Sequence, residues 1–168
     1  DYFLTEQGCD SIIVTELIVE PSVQLTAQDY TICRGEQVQL VVEGATSVTW
    51  TPWTGLSCTD CPSPVAAPNI TTVYIAEAQS CLGTTVDVYV TVTVIDPPAI
   101  SVSANESIMK GETTTLSATT NDPFALLTWY DATGIICEDC NDVSVTPGAT
   151  ATYTVTAENE FGCIAEDE

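Results

Sequence analysis

Eight cysteines, at positions 9, 33, 58, 61, 81, 137, 140 and 163, are the residues of this 168-residue chain best suited to chemistry. Thiols hold metals, exchange redox equivalents or close structural disulfides. The chain has no histidine, so a zinc site would need four thiolates. The spacing around the pairs Cys58/Cys61 and Cys137/Cys140 does not repeat as two arms closing on one metal. Both pairs also enclose acids, in Cys58-Thr59-Asp60-Cys61 and Cys137-Glu138-Asp139-Cys140, which disfavour the thiolate that a redox centre needs. Structural disulfides formed in oxidising, extracellular surroundings are the better reading.

Carboxylates are the other candidate chemistry. The chain carries 24 Asp and Glu against 2 Lys and Arg, a formal net charge of -22, yet 45% of its residues are hydrophobic. Such a chain can bury a core, unlike an acidic disordered tail. Hard-cation binding is one use of the acids, with Glu20, Asp60, Asp96, Asp139 and Asp142 and the tail Glu166, Asp167 and Glu168 as calcium candidates. No EF-hand pattern supports them, and a soluble, self-repelling acidic surface is the stronger expectation. No pair of acids is marked out for glycoside hydrolysis, and without histidine no His-based triad exists, so no enzymatic role is expected. With one Arg and one Lys there is nothing to neutralise phosphates, which excludes nucleic acid as a partner. No apolar run reaches the length of a membrane span, so no direct membrane insertion is expected.

An internal repeat must position these residues. Trp50 and Trp129, Cys58 and Cys137, Cys61 and Cys140, Pro68 and Pro147, and Tyr74 and Tyr153 are each 79 residues apart. Arg34-Gly35-Glu36 and Lys110-Gly111-Glu112 hold the two basic residues at one place seen twice. Tyr2 to Cys9 repeats the interval of Tyr74 to Cys81. Residues 1–20 therefore read as the closing hairpin of a preceding module, 21–96 as one complete module, and 97–168 as a module lacking its last strand. The sequence reads as an excerpt of a longer secreted protein, and 1–20 of one copy could complement the gap after Glu168 of another.

Apolar runs alternate, and no stretch sustains a helical period. Strands are predicted at 11–19, 22–26, 37–42, 47–50, 72–78, 85–95, 100–104, 112–118, 126–130 and 151–157. In the clearest, Val86, Val88, Val90, Val92 and Val94 share one face, and Asp87, Tyr89, Thr91 and Thr93 the other. The fold class expected is all-β, as tandem small immunoglobulin-like sandwiches. Trp50, Trp129, Tyr74 and Tyr153 are core candidates, and Trp53, without a counterpart in the second copy, is a candidate interface residue.

Modules this small gain from cross-links. Cys58 with Cys61 and Cys137 with Cys140 are expected as local staples, and Cys33 with Cys81 as a long-range bond within the complete module. Met109 stands where Cys33 does, which leaves Cys163 without an in-module partner. Cys163 and Cys9 are thus candidates for bonds to another module or subunit.

Several stretches carry a family resemblance. Ile32-Cys33-Arg34-Gly35-Glu36, Thr49-Trp50-Thr51-Pro52, Thr54-Gly55-Leu56-Ser57-Cys58-Thr59-Asp60-Cys61, Pro64-Val65-Ala66-Ala67-Pro68 and Thr71-Thr72-Val73-Tyr74 resemble the Ig-like or PKD-like repeats of giant Bacteroidota surface proteins. Those proteins are similar to gliding-motility adhesins and surface filaments exported by the type IX system. The resemblance implies an extracellular, cell-surface location and a structural role as a filament or adhesin-stalk repeat. The alternative is an adhesive module for surface glycans or proteins, with calcium as a stabiliser. Partners would be neighbouring modules of the same long chain or other copies in a filament. The resemblance supplies no catalytic set.

Overall fold

The computed structural model describes residues 2–4, 10–12, 28–42, 45, 47–79 and 84–168. The predicted strand at 22–26 lies outside them, as does most of the one at 11–19.

Every described element is a strand. A short pair, β1 (Tyr2–Leu4) and β2 (Asp10–Ile12), is antiparallel and forms a two-stranded sheet with Tyr2 opposite Ile12. Six strands follow: β3 (Tyr30–Cys33), β4 (Val38–Gln39), β5 (Ser47–Thr51), β6 (Val65–Ala66), β7 (Thr72–Gln79) and β8 (Thr85–Ile95). They form a sheet in the order β3-β8-β7-β5 and a smaller sheet, β4-β6. The second repeat contributes β9 (Ile100–Val102), β10 (Thr114–Thr120), β11 (Leu126–Asp131), β12 (Gly134–Glu138), β13 (Asp142–Val145), β14 (Thr154–Glu158) and β15 (Ile164–Asp167). Its sheets run β12-β11-β14-β15 and β13-β10-β9. In each repeat the tryptophan strand lies beside the tyrosine-to-cysteine strand, which lies beside the closing strand. Two mainly antiparallel sheets sharing one core in each repeat define tandem immunoglobulin-like β-sandwiches.

Alternation explains the burial. Along β7, Tyr74, Ala76 and Ala78 are fully buried, and across the ladder Val90 and Val92 of β8 meet them. The outer face carries Val73, Glu77, Asp87 and Tyr89, all exposed. The first core unites Trp50, Tyr74, Leu40, Val90 and Val92 with residues from both sheets. The second is smaller: Ala118, Leu127, Trp129, Val155 and Ala157.

The difference between the cores has a local cause. In the first repeat the second half of β8 pairs antiparallel with Thr72–Tyr74 and parallel with β3. In the second repeat β15 holds the closing position only over its first four residues, pairing as far as Val155 with Asp167. Tyr153 is half-buried where Tyr74 is fully buried. The predicted strand at 151–157 therefore begins at Thr154, because residues 151–153 have no ladder to join. Six short strands, β1, β3, β6, β12, β13 and β15, form where no strand was predicted.

Candidate functional site

The joint between the two sandwiches concentrates the chemistry of the chain. It begins at a turn, Cys33-Arg34-Gly35-Glu36. The Glu36 amide donates to the Cys33 carbonyl at 3.0 Å, and the Glu36 carboxylate accepts the Cys33 amide at 2.9 Å. Gly35, at φ +90°, supplies the left-handed conformation that closes it. This turn sets Cys33 opposite Ile95, at the end of β8 that leads into Pro97-Pro98.

From the second repeat, the turn joining β14 to β15 approaches the same place. Asn159 caps it: its side-chain oxygen accepts the Phe161 amide at 3.1 Å and the Cys163 amide at 2.9 Å. The Asn159 side-chain nitrogen donates across the joint to the Asp96 carbonyl at 3.3 Å. Cys163, 1% exposed, is bonded to Cys33 with a Cα–Cα distance of 5.5 Å, a bridge spanning 130 positions of sequence.

That bridge corrects the expected pairing of Cys33 with Cys81. Cys33 is committed to Cys163 and so is not free for Cys81, which lies outside the described residues. Cys163, one of the two cysteines without a predicted in-module partner, is thus bonded between modules; Cys9, the other, lies outside the described residues.

Charge reinforces the joint on its exposed side. The Arg34 guanidinium pairs with the Asp96 carboxylate, and its Nη1 donates to the Asn69 carbonyl at 2.8 Å. The hydrogen bond from Arg34 and its positive charge hold the Asp96 carboxyl below its ordinary range, and the same contact raises Arg34. The Arg34 amide donates to the Ile95 carbonyl at 2.8 Å, tying the turn to the end of β8.

The CxxC staples have a separate task. Cys58 is bonded to Cys61, and Cys137 to Cys140, each with Cα atoms 6.0 Å apart. In both repeats the loop so closed presents the carbonyl of its second cysteine to the core tryptophan. Trp50 Nε1 donates to Cys61 at 2.9 Å, and Trp129 Nε1 to Cys140 at 3.0 Å. Both indoles are 2% exposed, so each staple satisfies a buried donor that would otherwise be costly. Tyr74 donates its hydroxyl to the Thr54 carbonyl at 2.8 Å, and burial pushes its phenol up.

The calcium candidates do not converge. Among the described residues no group of three or more His, Cys, Asp or Glu is placed to hold a metal ion. Asp96 is engaged by Arg34, Asp60 and Asp139 sit in the two staples, and Asp142 opens β13. Glu20 lies outside the described residues. Trp53 is 76% exposed, and sequence reasoning singled it out alone. The structure adds Tyr89, 60% exposed, and Val73, 50%, on the outer face of the β7–β8 ladder. Asn159 was missed altogether. The available signal was Asn-Glu-Phe-Gly ahead of Cys163, an asparagine opening a turn that ends in glycine.

No protein-family model matches the chain, and no curated protein sequence matches it. Solved structures do. The insect immune protein hemolin aligns with a TM-score of 0.44 and 15% identity, over 88% of this chain and 45% of its own. Fibronectin(III)-like modules of CbhA from Clostridium thermocellum align at 0.40 and 14% identity, over 87% and 88%. The IG1+IG2 pair of DIP-gamma aligns at 0.39 and 15% identity, over 85% and 92%. The assignment of immunoglobulin-like sandwiches rests on the chain's own strand pairing and cores.

Proposed function

We propose that this chain is a structural repeat of an extracellular surface filament or adhesin stalk, whose modules are clamped end to end by disulfides. The observation that carries the reading is the joint. Cys33–Cys163 and the Asn159–Asp96 hydrogen bond cross it, with Pro97-Pro98 between the modules. A proline pair without amide donors, closed over by a covalent bridge, suits a spacer that must hold direction. The staples act within modules and the Cys33–Cys163 bond between them, and such bonds persist in oxidising surroundings, which supports an extracellular location. The resemblance of the repeats to Bacteroidota gliding-motility and surface-filament proteins supports export by the type IX system. Nothing among the described residues forms a catalytic constellation, and the reading needs none.

Small-angle scattering on the oxidised chain and on a Cys33→Ala/Cys163→Ala variant tests the clamp. The oxidised chain should give one narrow distribution of maximum dimension, and the variant a broader one. Equal distributions would remove the joint as a stiffening device.

The exposed aromatics favour a second reading, an adhesive module. Trp53 and Tyr89 offer apolar surface on a heavily acidic molecule, a common trait of sites for glycans or protein partners. Loss of surface adhesion in Trp53→Ala, with unchanged melting, would establish it. Unchanged adhesion would leave the stalk reading alone.

A further inference from the structure

Large apolar side chains stand in water where the two modules meet. On the second module, Leu126, Glu158 and Ile164 are direct cross-strand neighbours on the outer face of the sheet, because Leu127 and Ala157 take the inner one. Leu126 and Ile164 are both exposed. Two phenylalanines extend this row toward the joint, each presented by the same local device. The Asp122 carboxylate accepts the Phe124 amide at 3.0 Å, and the Asn159 side-chain oxygen accepts that of Phe161 at 3.1 Å. Both turns are tied to the joint. Asn121 exchanges two hydrogen bonds with Ala99, which follows Pro97-Pro98, and Asn159 donates to Asp96. Phe124 is nonetheless 80% exposed and Phe161 is exposed beside it in sequence terms of the two turns, so the core around Trp129 and Val155 uses neither ring.

The first module answers with Val73, exposed at the end of β7 nearest the joint, and with Ile70 just ahead of it, also exposed. Ile70 follows Asn69, whose carbonyl takes the Arg34 guanidinium, and Thr72 Oγ1 donates to the Ile70 carbonyl at 2.7 Å. An unbroken run of contacts joins the two apolar groups: Asn69 to Arg34, Arg34 to Asp96, Asp96 to Asn159, and Asn159 to Phe161. β15 starts from Ile164 at the joint and runs away from it to Asp167, so this surface is remote from Glu168.

We infer that the joint is a docking surface for a protein partner whose contact face combines apolar with basic side chains, and that the Cys33–Cys163 bond holds the two halves of this surface together. This goes beyond the stalk reading, which needs no partner at the joint. Grouped aromatic and aliphatic side chains in water supply the affinity when a partner covers them. Charge chooses the partner. Glu158 lies between Leu126 and Ile164, and a Cβ at Gly162 would meet its Oε1 at 3.9 Å. The carboxylate is thus set among the apolar side chains, with no cation paired to it among the described residues. Asp122 and Glu160 stand in the two phenylalanine turns. Covering these acids with apolar surface alone would desolvate them unpaired, whereas lysine or arginine on the partner offsets that loss. A second copy is the wrong partner. It brings a charge of -22 with one Arg and one Lys, and its Arg34 is engaged by Asp96. Half-surfaces on separately moving modules would have to be ordered at the moment of binding; the disulfide orders them beforehand.

Fluorescence anisotropy of a labelled synthetic peptide of alternating leucine and lysine, titrated with the full oxidised chain at physiological salt, tests this. Circular dichroism melts confirm that each variant folds. The native chain should bind the peptide. Phe124→Ser, Phe161→Ser and Ile70→Ser leave the net charge unchanged, and each should weaken binding about tenfold or more, as loss of a central interface residue does. Cys33→Ala/Cys163→Ala should weaken it by about tenfold, through the ordering that the bond no longer supplies. Ile135→Ser removes an exposed side chain opposite Tyr130, at the end of β11 remote from the joint, and should change nothing. A peptide with serine in place of leucine keeps its charge and should bind about tenfold more weakly or worse. One with glutamate in place of lysine should not bind. A native chain that ignores the leucine–lysine peptide, equal binding of the serine peptide, or an equal loss in Ile135→Ser overturns the surface. Binding of the glutamate peptide, or native oligomers in sedimentation that Phe124→Ser abolishes, overturns the basic partner. Full binding by Cys33→Ala/Cys163→Ala overturns a surface shared between the modules.

Discussion

Removing the bridge between the modules should uncouple their unfolding, and by an amount that the loop lengths set. In the chain-entropy treatment, a cross-link stabilises by limiting the unfolded state, in proportion to the logarithm of the loop it closes. The second sandwich has the smaller core, so it unfolds first. Unfolding it while the first module stays folded leaves a loop of about 66 residues, from Pro97 to Cys163, which the disulfide constrains by about 4 kcal/mol. Unfolding both frees the whole 130-residue interval between the bonded cysteines. That longer loop is worth about 5 kcal/mol, so the second step gains less than about 1 kcal/mol beyond the first. The Cys33→Ala/Cys163→Ala variant should accordingly lose about 4 kcal/mol from the first transition and little from the second. For a module of this size that lowers the first midpoint by roughly 15–30 °C. Differential scanning calorimetry resolves the two steps: native protein should melt over a narrow interval, and the variant in two separated transitions. Equal shifts of both transitions, or a shift of the upper one alone, would refute the argument.

Three further outcomes follow from contacts described above. Replacing Trp129 by Phe removes the donor to the Cys140 carbonyl while keeping most of the apolar volume, and should cost the second module about 1–3 kcal/mol in denaturant unfolding. Gly55→Ala should destabilise the first module by about 1–3 kcal/mol, since φ is +77° and the new Cβ would stand 3.1 Å from the Ala67 and Pro68 backbone. Gly134→Ala, with φ +133° but open space around it, separates strain from clash by comparison in the same assay. Asp96 titrates below its ordinary value because Arg34 holds the charged form, so its contribution is present above the usual carboxylate pKa and is lost as pH falls through the depressed one. An Asp96→Asn variant should therefore show a flatter acid limb in thermal melts, and an unchanged limb would dismiss the pair.

What could be read in the sequence is what repeats or alternates. The valines of 86–94 announce β8 because burial on one face imposes a period of two. Trp50 and Trp129 stand out because the same large residue recurs ahead of the same staple. The partner of Cys33 could not be read so, because alignment of two copies shows equivalence and not distance. Knowing that β8 carries the chain back to the Cys33 end requires the ladder. Residues 151–153 illustrate the same boundary: their composition matches Thr72–Tyr74, but a strand exists only where a neighbour supplies hydrogen bonds. The two-residue strand β6 is too short to show any period, and is held by the pairing of Ala66 with Val38 and of Val65 with Gln39.

The Cys33–Cys163 bond also decides how the molecule bears tension. Pulled from its two ends, the chain transmits force up to Cys33, through the sulfur bridge and onward from Cys163, bypassing the 130-residue interval and every described core residue except Tyr30 and Ile32. Fully extended at about 3.4 Å per residue, that shielded interval would measure roughly 440 Å. Under load this length stays hidden, and neither core can be drawn out as slack. Reduction of a single bond, 1% exposed on its Cys163 side, would release all of it to the pulling force. The segment thus behaves as a tether of fixed length with one chemical fuse.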